Sequence, residues 1–249
     1  MNKKMNCIKL ICVACITLVS IEGFSQGKIN RQTPKVQQHS ESKPQAASKN
    51  KEQPQRQQSK STIRTINGHE WVDLGLPSGL KWATCNLGAS SPFGYGNYYA
   101  WGETKPKSTY TKNNSTIDSE KMRLMGDISG HAQYDAARAN WRGSWRMPTK
   151  EEIEELCDQC VWTIIRGEYK GYKVTGPNGM SIFLPFAERC RGDIPNSEIE
   201  MLFGYYLCST PQGYSTSVYL LHFNNVSHAA ICKPNFDYFY GYSVRPVSN

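Results

Sequence analysis

Ser144–Leu156 reads SWRMPTKEEIEEL, an arginine and a proline running into a helix start dense in glutamate. Thr149 followed three residues later by Glu152 is a capping box: a hydroxyl that accepts an orphan helix N–H and a carboxylate that reaches back. Glu151 and Glu152 fall in the first turn, where the positive end of the helix dipole favours carboxylates. Ile153, Leu156, Cys157 and Cys160 then repeat at i, i+3, i+4 and i+7, the stripe of a helix with one buried face. The spacing predicts a helix over 149–160, with Glu154, Glu155 and Asp158 mainly outside the stripe. Acid/base catalysis needs two carboxyls converging across a cleft with their pKa values pushed apart. Carboxylates engaged in capping and solvation do not supply that.

Outward from this helix the chain separates into three parts. Lys3, Lys4 and Lys9 precede an apolar run, Leu10–Ile21, with small residues at Gly23 and Ser25. This is the pattern of a signal peptide over residues 1–25, and the run is shorter than the ~20 residues of a membrane span. A lipoprotein reading at Cys15 would cut that run in half. The chain is expected to be exported (periplasmic, cell-surface or extracellular), with no transmembrane segment in the mature protein. Residues 26–64 are rich in Gln, Lys and Ser and nearly lack large apolar side chains. Such a composition cannot offset its ordering entropy, so a disordered tether is expected. Residues 65–249 are long enough for one domain with its own core.

The formal charge of +8 belongs to the leading segments. The tether carries nine basic and two acidic side chains, whereas residues 65–249 carry 17 basic and 18 acidic. The folded part therefore has no basic footprint for nucleic acid. A cationic tether is suited to contact with anionic surfaces.

Short β-type runs at EWVDL (Glu70–Leu74) and LKWAT (Leu80–Thr84) flank the turn GLPSG. Ser78 there lacks the G-x-S-x-G spacing of a nucleophile elbow. Residues 89–112 are rich in Gly, Pro and Tyr, as in a long irregular loop anchored by aromatic rings. YDAARANW (Tyr134–Trp141) predicts a short helix. From Gly167 onward, glycine-punctuated β-type runs dominate: YKGYKVTG, MSIFLPF, GYYLCST, SVYLLHF and GYSVRPV. Strands, then two helices, then strands predict an α+β domain with antiparallel strands and long irregular loops.

Six cysteines lie beyond the signal: Cys85, Cys157, Cys160, Cys190, Cys208 and Cys232. In an exported chain they permit disulfides or buried thiols. Cys157-x-x-Cys160 sits at the C-terminal end of its helix, where the dipole opposes a reactive thiolate. No second closely spaced ligand pair completes a structural zinc site. His69, His131, His222 and His228 show no metal or nucleophile spacing. Neither a Walker loop nor a dinucleotide fingerprint occurs, and no cofactor or metal is expected.

Four ordered stretches, Val72–Thr104, Tyr134–Leu156, Gly171–Ala187 and the terminal GYSVRPV, together resemble the Fibrobacter succinogenes major paralogous domain family. This family is abundant in exported proteins of Bacteroidetes. The W-R-x-P-T-x-x-E core and the closing G-x-S-V-R are also similar to the wider C-type-lectin-like and formylglycine-generating-enzyme-like group. The resemblance implies a compact C-type-lectin-like fold with its termini paired in one sheet. It marks Trp145, Arg146, Pro148, Thr149, Glu152 and Arg245 as fold-signature residues. The closely spaced C-terminal cysteine pair of the sulfatase-maturation enzymes is absent, with Cys232 alone in that region. The calcium-lectin E-P-N loop is also incomplete, since Lys233 precedes Pro234–Asn235. Where relatives carry other residues, this chain has Cys190 and Cys208, which suggests a Cys190–Cys208 disulfide. Cys85 and Cys160, at positions where relatives often have cysteine, make a second candidate pair.

The functional expectation is a non-enzymatic ligand-binding or adhesion module for a glycan or protein ligand. A structural component of a surface or envelope complex is the alternative, and a sulfatase-maturation-type enzyme is the reading with least support. Seven of the 14 tyrosines fall between Tyr205 and Tyr242 among asparagines, a composition typical of adaptable binding surfaces. The expected ligand-binding residues are Asn224, Asn225, Asn235, Asp237, Tyr238 and Tyr240.

Overall fold

Three strands in the C-terminal half divide the core: β9 (Phe203–Pro211), β10 (Ser217–Asn224) and β11 (Ile231–Asp237), antiparallel in the order β11-β10-β9. The computed structural model describes residues 64–192, 194–195, 202–213, 216–226 and 231–249. The predicted signal peptide, and the tether apart from Arg64, lie outside the described residues.

Because side chains alternate along a strand, this sheet has apolar residues on both faces. Tyr205, Leu207, Val218 and Leu220 join one core with Trp101, Trp141 and Trp145. Tyr206, Cys208, Leu221 and Phe223 join the other with Trp82, Tyr172 and Leu184. Gly204 is required by a close approach: a Cβ there would lie 2.2 Å from the Phe223 ring.

The helices cover these two faces. α1 (Ser119–Met125) and α2 (Ala136–Trp141) supply Met122, Ala136, Ala137 and Trp141 to the first core. α3 (Lys150–Gln159) supplies Ile153 and Leu156 to the second. The capping box at Thr149 and Glu152 is present as expected. α1 is additional to the two helices expected from sequence. Its local signal is the N-cap Asp118, whose side chain accepts from the Lys121 N–H at 2.7 Å.

The second core is closed by β4 (Val161–Arg166), β5 (Lys170–Thr175) and β6 (Ser181–Pro185), an antiparallel sheet in that order. β4 begins before the point where sequence placed the strand-rich half, directly after α3. A further sheet joins β1 (Thr65–Ile66), β2 (His69–Asp73), β3 (Lys81–Ala83) and β12 (Val247–Ser248) in that order, so the two ends of the described domain lie in one sheet, at its opposite edges. The two-residue strands β7 (Cys190–Arg191) and β8 (Ile194–Pro195) pair with each other. The architecture is thus mixed α/β with few helices and mostly antiparallel strands.

The stretch 144–156 joins these layers. Trp145 is fully buried, and its indole N–H donates to the Ile66 carbonyl at 2.8 Å. Arg146 holds Glu152 through two bonds of 2.8 and 2.6 Å and also donates to Asn249 Oδ1. Its backbone exchanges both hydrogen bonds with Val247. The Pro148 carbonyl accepts from the Ser209 N–H and hydroxyl. Glu155 has a task beyond solvation: it accepts from the Ser78 N–H and hydroxyl at 2.9 and 2.6 Å, anchoring the GLPSG turn.

The expected disulfides do not form. Cys85, Cys157, Cys160, Cys208 and Cys232 are free thiols, so neither Cys190–Cys208 nor Cys85–Cys160 is closed. Packing explains this for the first pair: Cys190 lies against Ala100 and Tyr110, whereas Cys208 is in the second core beside the central sheet.

Candidate ligand-binding groove

The residues that composition singled out are spread along the β10–β11 hairpin and the segment that follows it. Asn224 closes β10 and Asn225 follows it, whereas Asp237 ends β11 opposite Ser217 at the other end of the hairpin. At ~3.3 Å per residue the two ends lie roughly 23 Å apart. Asn224 Oδ1 accepts from the Val226 N–H at 2.8 Å, and Asn225 Oδ1 from the Leu202 N–H at 3.1 Å, so both serve the turn. Asn235 lies on β11, and its side chain is outside the described residues. Tyr238 is a core residue, 2 % exposed. Tyr240 is half-buried beneath the guanidinium groups of Arg189 and Arg191, 5.8 and 5.4 Å from its ring centroid. Among the described side chains, Asn224 and Asn225 thus bond at the β10–β11 turn and Tyr238 fills the core.

A groove forms elsewhere, from two turn tips. Ser91-Pro92-Phe93-Gly94 is a β-turn closed by the Gly94 N–H to Ser91 carbonyl bond of 3.0 Å, and the Ser91 hydroxyl accepts from the Phe93 N–H. Proline at the second position and glycine at the fourth suit such a turn and place Phe93 at its tip. Residues 167–169 form the loop of the β4–β5 hairpin and present Tyr169. The two rings stack at 4.1 Å with 13° between planes, although they are 40 % and 45 % exposed. Phe183 of β6 meets Phe93 edge-on at 5.1 Å. Such offset and edge contacts are the favoured aromatic geometries.

Beneath these rings is a cavity of about 450 Å³, lined by Pro92, Phe93, Ile165, Tyr169, Ile182 and Phe183, with Glu168 and Lys173 also in its wall. Thr84 and Pro92 also line an adjoining cavity of about 390 Å³, whose other walls include His69, Glu70, Cys85, Ser90 and Trp141. The groove therefore has an apolar end and a polar end. His69 stacks on Trp141 at 3.7 Å, and burial lowers its pKa, which favours the neutral ring. The Cys85 thiol contacts the Thr84 hydroxyl at 3.7 Å.

Arg245 supports the shared wall from below. It is 1 % exposed and donates to Asn86 Oδ1 and to the carbonyls of Ala83, Thr84 and Phe183 at 2.8 to 3.0 Å. Thr84 and Phe183 stand in the groove wall, so one guanidinium fixes parts of β3, β6 and the loop after β3 together. Asn86 in turn donates to Tyr206 Oη, which donates to the Pro185 carbonyl.

Four of the remaining thiols have raised pKa values, which favours the protonated form. Burial pushes the pKa of Cys160 up to about 11 and that of Cys232 up to about 12. Cys157 and Cys208 are raised for the same reason. Among the described residues no three His, Cys, Asp or Glu side chains are grouped to hold a metal ion. The arrangement can bind an amphipathic group: rings and aliphatic walls at one end, hydroxyl, imidazole and carboxylate groups at the other.

Compared with protein-family models, curated proteins and solved structures, the chain matches none.

Proposed function

We propose that this chain is an exported, non-enzymatic ligand-binding or adhesion module of the Fibrobacter succinogenes major paralogous type with a C-type-lectin-like fold. Its ligand is a glycan or a protein segment, and its binding site is the Phe93–Tyr169 groove rather than the C-terminal asparagine–tyrosine region. The observation that carries this reading is the pair of exposed rings on two separate turns over an apolar cavity. Water-exposed ring area costs free energy unless a ligand covers it. The polar end would orient that ligand, and the buried Arg245 clamp keeps the wall preorganised, which reduces the ordering cost of binding. A sugar ring and an amphipathic peptide side chain both present an apolar face beside hydroxyl or amide groups, which suits these two ends.

The test is a glycan and protein array probed with the mature chain. Binding that disappears in F93A/Y169A supports the reading; binding unaffected by this double substitution contradicts it.

One observation favours the alternative of a structural or assembly component. β4, VWTIIR, is an edge strand of its sheet, and Val161 is 68 % exposed on it. Edges of this kind pair with other chains. Light scattering that shows an oligomer dispersed by V161K would move the assignment to assembly.

A further inference from the structure

We propose that a second cavity, framed by Lys105, Lys107 and Lys121, binds a compact oxyanion group: a sulfate, phosphate or carboxylate carried on an extended ligand. The cavity is about 320 Å³ and also includes Glu103, Thr116 and Tyr134 in its walls. Its single carboxylate is already neutralised. Glu103 Oε2 is 2.7 Å from Lys107 Nζ, while Oε1 accepts from the Thr116 N–H at 2.7 Å and the Thr116 hydroxyl at 3.2 Å. Lys107 Nζ further donates to the Asn114 carbonyl and Oδ1, so its three donors are all engaged.

Lys105 and Lys121 are the surplus. Neither has a carboxylate within ion-pair distance among the described residues. The Lys121 ammonium lies 5.4 Å over the Tyr134 ring, a cation–π contact that restrains it at the cavity wall. Two unneutralised ammonium groups thus share one concave site in a domain whose acidic and basic side chains nearly balance. A concave cationic site concentrates field and attracts counter-ions more strongly than isolated surface lysines. The volume leaves room, beyond a tetrahedral anion, for part of the group that carries it.

The basic tether would bind polyanions by itself, so the experiment compares full-length proteins that share it. Titration calorimetry uses a sulfated oligosaccharide, its desulfated counterpart and inorganic sulfate. The wild type should bind the sulfated oligosaccharide more tightly than the desulfated one, and K105A/K121A should lose about tenfold in affinity, equivalent to ~1.4 kcal/mol. K105R/K121R should retain binding. The exposed lysines Lys112 and Lys170 line none of the three cavities described above, and K112A/K170A should stay within about twofold of wild type. Competition by inorganic sulfate at the cavity would identify the anion itself as the recognised group; its failure to compete while the oligosaccharide binds would place recognition on the anion together with its carrier. Equal affinities of wild type and K105A/K121A, or an equal loss in K112A/K170A, would overturn the proposal.

Discussion

Arg245 Nη2 lies 2.9 Å from the Phe183 carbonyl, so a guanidinium near the C-terminal end of the chain fixes the wall of the aromatic groove. Among the described residues its charge has no carboxylate within ion-pair distance, and four oxygen acceptors hold it. R245M takes the donor away from the buried Asn86 and Ala83 acceptors and the part-buried Thr84 and Phe183 carbonyls, and should destabilise the fold by about 3–5 kcal/mol. R245K supplies three donors on a point charge without the planar fork, and should recover only part of that loss. Urea unfolding of the two variants measures both; a loss below about 1 kcal/mol for R245M would refute the clamp.

Asp135 is the second buried anchor. Its Oδ1 accepts from the Arg138 N–H at the start of α2, and its Oδ2 accepts from the N–H groups of Gly130 and Met147. Burial raises its pKa although these donors oppose the shift. D135A should cost about 2–4 kcal/mol, the loss of a helix cap combined with orphaned donors. D135N should be nearly as costly, because an amide nitrogen replacing Oδ2 would face two N–H groups. Full stability in D135N would contradict this geometry.

The two ion pairs of the α3 region should differ in strength. Arg146 and Glu152 are 16 % and 18 % exposed, in a two-pronged contact. A double-mutant cycle should give a coupling of about 1–2 kcal/mol. Lys150–Glu154 is a more exposed pair on the helix surface, where coupling should be ~0.5 kcal/mol or less. T149A, which removes the cap hydroxyl, should cost about 1 kcal/mol.

The thiols give a pH signature. The folded-state pKa values of Cys160 and Cys232 lie above that of a free thiol, ~8.5. Below about pH 8 both folded and unfolded chains keep these protons, and stability is insensitive to them. As pH rises toward the folded values of about 11 and about 12, the unfolded chain loses protons that the folded chain retains, and stability falls. The urea midpoint should therefore be lower at pH 10 than at pH 7. Alkylation at pH 8 followed by peptide mass spectrometry should label Cys85, which lines the groove, before Cys157, Cys208 and Cys232. Labelling of Cys208 as fast as Cys85 in the folded protein would contradict the packing.

What sequence revealed and what it concealed divide along local and long-range physics. The α3 cap at Thr149 and Glu152 was legible because a capping box is complete within four residues, and the Ile153–Leu156 stripe because helical period reports a buried face. The burial of Trp145 and the Arg146–Glu152 contact lie within the same signature stretch. The groove was not legible, because Phe93 and Tyr169 are 76 residues apart and meet only once two turns are folded. The S-P-F-G turn was a local signal for the exposed Phe93, but it lies inside a loop expected to be irregular. The layout of the Asn/Tyr-rich C-terminal region was hidden for a related reason: composition cannot show that Asn224 and Asp237 occupy opposite ends of one hairpin, or that Tyr238 points into the core. Cysteine pairing failed likewise, since Cys190 and Cys208 pack in different clusters.

The affinity of an array-identified ligand for the wild type, F93A/Y169A and Y240A, each with its unfolding midpoint, distinguishes the groove from the C-terminal loops. Loss of two ring contacts worth about 1–1.5 kcal/mol each predicts a fall of roughly 30–150-fold for F93A/Y169A, with Y240A near wild type. A large loss in Y240A, with F93A/Y169A binding as the wild type does, would rule out the groove and return the site to the C-terminal loops.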